Sequence, residues 1–223
     1  SLLSTFCAGC VIVSWHCSRR SSLAHVSQAQ CPFAGWIVEC VTIADVDWRE
    51  PQRIHRSALQ GFICARPEKA LFDRRRGKHH PSPWDLEVQG LVRALKVPVG
   101  TPDRVFGGFC DDEIRAVIAF EYIEDEIDEY DESGDFLETT LIREVFLKIV
   151  AADVAWRRQR YAATAIAVMI DDLARSGWGG DVEVECKIHP NNEASRGFFE
   201  RQGAKLYSVS GRYEVWRFSV DVP

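Results

Sequence analysis

The clearest pattern along the chain is a change from helical to strand periodicity in its second half. Six side chains share one face of a helix predicted over residues 162–176: Tyr161, Ala165, Ile166, Met169, Ile170 and Leu173. Gly177, Gly179 and Gly180 end this helix. Four apolar side chains then alternate with charged ones, the period of a half-buried strand: Val182, Val184, Cys186 and Ile188. The pattern therefore predicts a helix followed directly by a strand.

Further elements are predicted on both sides of this unit. One helix is expected to have Pro51 in its first turn, a second to cover residues 84–95, and a third to start at Asn192 and end at Gly203. An arginine-rich and histidine-rich solvated loop is expected at residues 71–83. Five more strands are expected, at residues 105–110, 114–123, 140–154, 205–209 and 213–220. This order of elements predicts an α/β fold with a mixed sheet.

Residues 121–138 carry ten acidic side chains and no basic one. A solvated loop that self-repulsion keeps open is the favoured interpretation. The alternative is a negative rim that attracts a cationic substrate.

The composition limits the class of protein. Among 223 residues, 46% are apolar, which is enough for the core of one ordinary domain and excludes a disordered chain. The net charge of −6 does not favour a general nucleic-acid-binding surface. No run approaches the roughly 18 apolar residues that cross a bilayer, and the apolar stretch at residues 7–15 lacks the flanks of a signal peptide. A cytoplasmic protein without membrane contact is expected.

Residues 1–40 differ in composition from the rest of the chain. They contain five of the eight cysteines and only three charged residues. A poorly ordered, cysteine-rich extension is expected here, followed by a folded domain at 41–223. A zinc site formed by Cys7, Cys10, His16 and Cys17 is the alternative, but no second ligand pair has a recognised spacing, and no metal is expected. The remaining cysteines are expected to be small core residues: Cys64, Cys110 and Cys186.

A cationic turn lies between the strand predicted at 140–154 and the helix predicted at 162–176. It carries Arg157, Arg158 and Arg160. The first N–H groups of a helix have no intrahelical partner, and the helix dipole is positive there, so this end can bind an anion. The turn therefore predicts a diphosphate site, with a solvated arginine cluster as the alternative.

A second block, residues 189–204, follows one helix and one strand later, and the two blocks together resemble the acyl-CoA-binding core of the GNAT superfamily of N-acetyltransferases. The family's phosphate loop reads Q/R-x-x-G-x-G/A, and Arg157, Arg160 and Ala162 hold its three marked positions. The later signature, an asparagine, a small residue, an aromatic-glutamate pair and a glycine, is matched by Asn192, Ser195, Phe199, Glu200 and Gly203. The resemblance covers about residues 105–220. It implies the GNAT fold, a central mixed and splayed sheet flanked by helices, with a first strand near residues 41–46.

The resemblance also implies acetyl-CoA as the co-substrate. The backbone at the opening of the splayed strands would pair with the strand-like pantetheine arm. The residues expected at the acyl-CoA site are Val150, Ala151, Ala152, Arg157, Arg158, Gln159, Arg160, Tyr161, Ala162, Asn192, Ser195 and Phe199.

Two positions depart from the family's pattern. Arg160 stands where the family favours glycine, because the backbone there approaches the pyrophosphate closely. Phe199 stands where many members have a tyrosine that protonates the departing CoA thiolate. A thiolate can leave without a strong acid, since a thiol pKa is about 8.5. Tyr207 and Tyr213 are the substitutes considered for this tyrosine.

Direct attack of an amine on the acetyl thioester is the mechanism that the resemblance implies. An alkylammonium has a pKa near 10, so a base or a water chain must remove its proton before attack. Glu144, on the strand that leads into the phosphate loop, is the expected base, and Glu121 is held in reserve. A surface glutamate is the alternative role of Glu144. His189 is expected to cap the end of its strand.

The sequence thus predicts an acetyl-CoA-dependent N-acetyltransferase that acts on a primary amine, with a cationic acceptor favoured and a homodimer allowed. A GNAT-like acyl-CoA sensor or interaction module without catalysis is the main alternative, motivated by Phe199. A third interpretation, acetylation of aminoacyl-tRNA, would use the basic residues 74–78 to contact phosphates. The net acidity disfavours it, and no nucleic-acid partner is expected.

Overall fold

The computed structural model describes residues 46–68, 72–73, 78–98, 100, 103–157 and 160–223. In chain order the strands are β1 (Asp47–Arg49), β2 (Phe72–Asp73), β3 (Lys78–His79), β4 (Asp103–Cys110), β5 (Glu113–Tyr130), β6 (Phe136–Ala152), β7 (Gly180–Ile188), β8 (Lys205–Ser210) and β9 (Tyr213–Val222). The α-helices are α1 (Arg56–Gly61), α2 (Pro83–Ala94), α3 (Tyr161–Arg175) and α4 (Glu193–Arg201), with single 3₁₀ turns at Arg53–His55 and Val154–Trp156.

Seven strands form one mixed sheet in the order β1-β4-β5-β6-β7-β9-β8, while β2 and β3 pair separately. Among these pairings only that of β6 with β7 is parallel. The predicted α/β fold with a mixed sheet is confirmed. A parallel pair needs a crossover, and α3 supplies it between β6 and β7.

The two faces of the sheet carry separate apolar clusters, because alternate residues of a strand point to opposite faces. In β5, Ile118 belongs to one cluster and Val117 to the other. The first cluster packs α3 and α4 against the sheet through Ala165, Ile166, Met169, Leu173 and Phe199. The second packs α1 and α2, with Leu59 and Val92 almost fully buried. Two helical layers therefore enclose the middle of the sheet.

Most predicted elements are observed within a few residues, and one at the start of the domain needs correction. Residues 41–45 of the strand expected at 41–46 lie outside the described residues, so that strand stays a prediction, and the first described strand is β1. Here Trp48 pairs with Gly108, whose missing side chain leaves room for Val46 and Trp48. Pro51 precedes its helix instead of lying in the first turn, because Gln52 is the capping residue and its N–H donates to His55 Nδ1 at 2.9 Å.

The loop expected at residues 71–83 contains the short β2–β3 pair, and His80 is buried rather than solvated. The His80 ring bonds the Pro67 carbonyl through Nε2 at 2.8 Å and accepts the Ser82 N–H through Nδ1. Residues 74–77 lie outside the described part. Cys64 and Cys186 are buried as predicted, and Cys110 is half-buried.

The acidic stretch at 121–138 was expected to be a solvated loop, and this expectation is wrong. The stretch completes β5 and begins β6, which pair with each other from Glu121 opposite Phe146 out to Tyr130 opposite Phe136. Isoleucine, tyrosine and threonine favour strands, and cross-strand bonds offset part of the charge repulsion. Thr139 donates to Asp128 at 2.7 Å, and Arg143 pairs with Glu124 at 3.1 Å.

Candidate acyl-CoA and acceptor site

The parallel strands β6 and β7 separate at the middle of the sheet. They pair from Glu144 opposite Glu183 to Leu147 opposite Cys186, and this ladder goes no further although β6 continues to Ala152. A bulge lies at the separation: Ala119 and Phe120 of β5 oppose Ile149 and Leu147, so Lys148 is the extra residue of β6. A bulge bends its strand and increases the local twist, which moves β6 away from β7.

A cavity of about 370 Å³ occupies this opening. The β6 segment from Phe146 to Val150 forms one wall, and the end of β7 with α4 forms another. Four predicted acyl-CoA residues line it: Val150, Asn192, Ser195 and Phe199. The volume lies within the range of pockets for small molecules and cofactors.

The predicted phosphate loop leads from β6 into α3. Asp153 begins it by accepting the Ala155 N–H at 2.8 Å, and the Val154–Trp156 turn follows. Arg160 is the N-cap of α3 with φ +58°, in the left-handed region that glycine adopts most readily. This conformation explains why the family favours glycine at the position. Tyr161 and Ala162 then form the first turn of α3, while Arg158 and Gln159 lie outside the described residues.

Arg157 is engaged with the helix that covers the site. Its guanidinium donates to Asp85 Oδ2 of α2 at 2.8 Å and also to the Cys64 carbonyl. The loop is therefore tied to the N-terminal turn of α2. Cys64 is not a nucleophile here, because burial, and then the charge of Asp85, raises the pKa of its thiol to about 12.

Glu87, Arg212 and Tyr213 form a polar group beside the cavity. Of these three residues, the sequence analysis named only Tyr213. The Tyr213 hydroxyl donates to Glu87 Oε1 at 2.5 Å, and Arg212 donates to the same oxygen at 2.7 Å. Trp84 stacks on the His189 ring at 5.1 Å between centroids. Trp84 and Glu87 are three residues apart on α2 and so share a helical face. This spacing is the only feature of the sequence that could have placed Trp84 and Glu87 together. It does not indicate that Glu87 contacts Tyr213 on β9.

The second block behaves as its motif predicts. Asn192 caps α4 by accepting the Ser195 N–H at 3.2 Å. His189 is part of the turn before it, since its Nδ1 accepts the Asn191 N–H at 3.2 Å. The ring of Phe199 is buried and lies 5.8 Å from that of Phe218, so it belongs to the core as well as to the cavity wall.

Neither of the two carboxylates proposed from the sequence is among the residues that line the cavity. Glu121 Oε2 is 2.6 Å from Lys148 Nζ, and the same ammonium is 2.6 Å from Asp103 Oδ1. Lys148 lines the cavity, whereas Glu144 stands at the start of the parallel ladder opposite Glu183. Partial burial opposes the charge on Lys148, but its hydrogen bonds to Asp103 and Glu121 outweigh burial and raise the lysine pKa.

The other residues named in the sequence analysis lie in several parts of the structure. Ala151 and Ala152 follow Val150 at the end of β6, where Ala151 is buried in the second cluster. Tyr207 lies on the exposed strand β8, with the Arg217 guanidinium 3.7 Å from its ring centroid, and does not line the cavity. The cluster Cys7, Cys10, His16 and Cys17 lies outside the described residues.

Solved structures with a similar architecture include acetyltransferases. The PaiA N-acetyltransferase of Thermoplasma acidophilum, in complex with coenzyme A, superposes with a TM-score of 0.53 at 11% identity, covering 77% of this chain and 97% of that chain. A GNAT-family acetyltransferase of Staphylococcus aureus gives 0.48 at 10% identity, covering 78% and 98%. Arabidopsis thaliana Naa50 with a bisubstrate analogue gives 0.45 at 13%, covering 78% and 99%. The first likeness shows the fold: this chain has the GNAT acyltransferase fold, as its sequence motifs predicted.

No protein-family model matches the sequence, and the search of curated proteins found no relative. Within the described ranges, no helix is long and apolar enough to span a membrane.

Proposed function

We propose that the protein is an N-acetyltransferase that transfers the acetyl group of acetyl-CoA to a primary amine by direct attack. The opening between β6 and β7 carries this proposal, because pairing ends at Leu147 and Cys186 and the cavity begins there. A strand-like pantetheine arm fits between separating strands, since it can pair with their free backbone groups. The turn between β6 and α3 lies where β6 leaves the opening, which suits it to the diphosphate.

The reaction needs one proton acceptor. An alkylammonium first loses one proton to this acceptor. The amine nitrogen then attacks the thioester carbonyl carbon, the C–S bond breaks, and CoA leaves as a thiolate that takes up the second proton the nitrogen loses. Glu121 is the favoured acceptor, directly or through one water, because its ion pair with Lys148 joins it to the cavity wall. Glu144 lies three residues before the opening, about 10 Å along the strand. We therefore reverse the order expected from the sequence and place Glu121 before Glu144.

A proton donor for the thiolate is available at Tyr213. This side chain lines the cavity and is bonded to Glu87. Partial burial, and then the hydrogen bond to Glu87, raises the pKa of Tyr213 above its usual value, so the hydroxyl keeps its proton at neutral pH. Phe199 has no proton to give, which leaves Tyr213 as the proposed donor.

The test is release of CoA thiol from acetyl-CoA across a panel of primary amines, with the acetylated product confirmed by mass spectrometry. With an active amine, Glu121→Gln should lower kcat about 100-fold, because general-base catalysis contributes roughly that much. Glu144→Gln, the matched control on β6, should change kcat less than about threefold. Both variants should bind acetyl-CoA as the unchanged protein does. Equal losses in the two variants would remove Glu121 from the proposed role.

One observation favours a second candidate function, an acyl-CoA-binding module without turnover. Phe199 cannot protonate a thiolate, and Glu121 is already held by Lys148. The same assay separates the two functions. Acetyl-CoA binding without thiol release from any amine in the panel would support the module.

A cationic acceptor and a cytoplasmic location complete the proposal. Asp103, Glu121 and Glu144 bring negative charge to the β6 segment on which the acceptor would approach, and opposite charge favours encounter. Polyamines, aminoglycosides and lysine-bearing peptides fit this description, and the amine panel should include all three.

A further inference from the structure

β5 and β6 extend beyond their neighbours as a two-stranded arm, residues 122–143, which we call the acidic arm. β4 pairs with β5 only as far as Glu121, and β7 pairs with β6 only from Glu144 onward. Within the described residues, the two strands of the arm pair only with each other. Both edges of the arm are therefore unpaired among the described residues. At the base of the arm, Tyr122 contacts Trp178 and Asp172 and Arg143 lies over the Trp178 ring, while residues 123–130 are exposed.

One face of the arm combines apolar side chains with a rim of carboxylates. Four cross-strand pairs share this face: Ile123 with Glu144, Asp125 with Ile142, Ile127 with Thr140, and Glu129 with Glu138. We call it the isoleucine face. Ile142 lies diagonally between the other two isoleucines, so the three form one stripe. Ile123 is 38% exposed and Ile127 is 45% exposed, although isoleucine is among the residues most often buried in folded proteins.

The opposite face of the arm also combines apolar and acidic side chains, and its Leu141 is 49% exposed opposite Glu126. Its carboxylates are Glu124, Glu126 and Asp128. Glu124 is paired with Arg143, the only basic residue between positions 121 and 144, and Asp128 accepts a bond from Thr139. Two of the three carboxylates on this face thus have partners on the arm itself. On the isoleucine face, Glu129 likewise accepts a bond from Thr140 at 2.8 Å.

An apolar stripe inside a charged rim is the arrangement of a protein-binding surface. The sign of the rim identifies the partner. Two copies of the arm would bring like charges together at close range, which costs several kcal/mol, so a second copy of this chain is disfavoured. A cationic partner instead relieves the repulsion among the carboxylates and covers the isoleucines.

We propose that the isoleucine face docks a polypeptide segment in which apolar side chains alternate with lysine or arginine. The apolar side chains pack on Ile123, Ile127 and Ile142, and the cations meet the rim. The face spans about 20 Å from Ile123 to Glu129, at about 3.4 Å per residue. This inference concerns a surface outside the cavity and does not depend on acetyl transfer.

The test is fluorescence anisotropy with the full chain and two labelled peptides of about seven residues, a length that spans about 20 Å and so matches the face. One peptide alternates lysine with leucine, and the other alternates lysine with serine. The leucine peptide should bind at least about tenfold more tightly, because only it buries apolar surface on the isoleucines. Equal binding of both peptides would overturn the proposal, because it would show that the arm attracts peptides by charge alone and that the isoleucines do not contribute.

Paired variants of the arm locate the surface. Ile127→Ser with Ile142→Ser keeps every charge and should weaken the leucine peptide about tenfold. Glu129→Gln with Glu138→Gln removes two charges from the isoleucine face, and Glu126→Gln with Asp128→Asn removes two from the other face. The double variant on the isoleucine face should lose at least about threefold more affinity for the leucine peptide than the double variant on the opposite face. Equal losses from the two charge pairs, or no loss from the isoleucine pair, would contradict docking on this face. If a variant folds poorly, the comparison of the two peptides on the unchanged chain still tests whether the arm binds an apolar and cationic peptide.

Discussion

At the residue scale, Asp172 shows how the fold tolerates a buried charge. Its side chain is 2% exposed in the last turn of α3. Arg104 of β4 donates to both of its oxygens, at 2.8 and 2.7 Å, and the Tyr122 hydroxyl donates at 2.6 Å. Burial alone would raise the pKa of Asp172, but the bonds from Arg104 and then Tyr122 outweigh it and lower that pKa. A buried carboxylate with these partners stabilises the contact between α3 and β4–β5 only while it is ionised.

Asp172→Asn should therefore lower the free energy of unfolding by about 2 to 4 kcal/mol, because it leaves Arg104 without its buried counterion. Asp171→Asn is the matched control, since Asp171 pairs with Arg175 on the exposed side of the same helix, and it should cost less than about 0.5 kcal/mol. Urea unfolding at neutral pH measures both values. A similar loss in the free energy of unfolding for the two variants would show that the buried pair of Asp172 and Arg104 contributes no more stability than an exposed ion pair.

The same residue gives a pH dependence. Because the folded pKa of Asp172 is lowered, its contribution is complete above the unfolded value of about 3.9 and is lost as pH falls through the folded pKa. The gap in unfolding free energy between the unchanged chain and Asp172→Asn should therefore narrow when urea unfolding is repeated below about pH 4. A gap that stays constant down to acid unfolding would contradict the assigned ionisation.

Arg160 carries the second prediction at this scale. A non-glycine residue in the left-handed region costs about 1 to 2 kcal/mol, and glycine avoids that cost. Arg160→Gly should thus be more stable than Arg160→Ala by about 1 kcal/mol, since both lose the same charge. Thermal unfolding in parallel measures the difference. An alanine variant as stable as the glycine variant would show that the backbone is not strained there.

At the element scale, α2 connects the predicted phosphate loop with β9. Its first turn contacts that loop through Asp85 and Arg157, and its next turn contacts β9 through Glu87 and Tyr213. Asp85 therefore competes with any phosphate for the same guanidinium.

Asp85→Asn should strengthen coenzyme A binding about threefold or more, because it frees the Arg157 charge without shortening the side chain. Arg157→Ala should weaken binding with little change in turnover at saturation. Isothermal titration with coenzyme A measures both effects, with Asp171→Asn as a control of equal charge change. A weaker complex after Asp85→Asn would mean that the contact with α2 positions Arg157 for its ligand.

The elements also show what could be predicted from the sequence. Local signals were sufficient for α3, β7 and the Asn192 cap, because their periodicity and capping chemistry lie within a few residues of each other. The arm beyond Ile123 was missed, because the acidic composition favoured a loop over the strand preference of residues such as Ile127 and Tyr130. Contacts between distant segments, such as Glu87 with Tyr213 and Lys148 with Glu121, have no local signal. They depend on the order of strands in the sheet and on the bulge at Lys148.

At the scale of the whole molecule, the two motifs and the cavity all lie in the predicted domain at 41–223. A chain that starts near Glu39 should fold and bind acetyl-CoA with the same affinity as the full chain. Circular dichroism and titration of both chains test this expectation. Aggregation of the shortened chain, or stoichiometric zinc in the full chain that is lost on truncation, would assign a structural role to Cys7, Cys10, His16 and Cys17.

The central claim is that the opening between β6 and β7 holds the acyl arm of acetyl-CoA. Thermal unfolding of the full chain with increasing acetyl-CoA tests it most directly, because a ligand that binds only the folded state raises Tm with its concentration. Val150→Pro removes a backbone N–H of β6 at the cavity wall and should reduce the shift. The account predicts a rise in Tm that saturates, with a smaller rise in the variant. An unchanged Tm at about millimolar acetyl-CoA, with the protein folded, would contradict it.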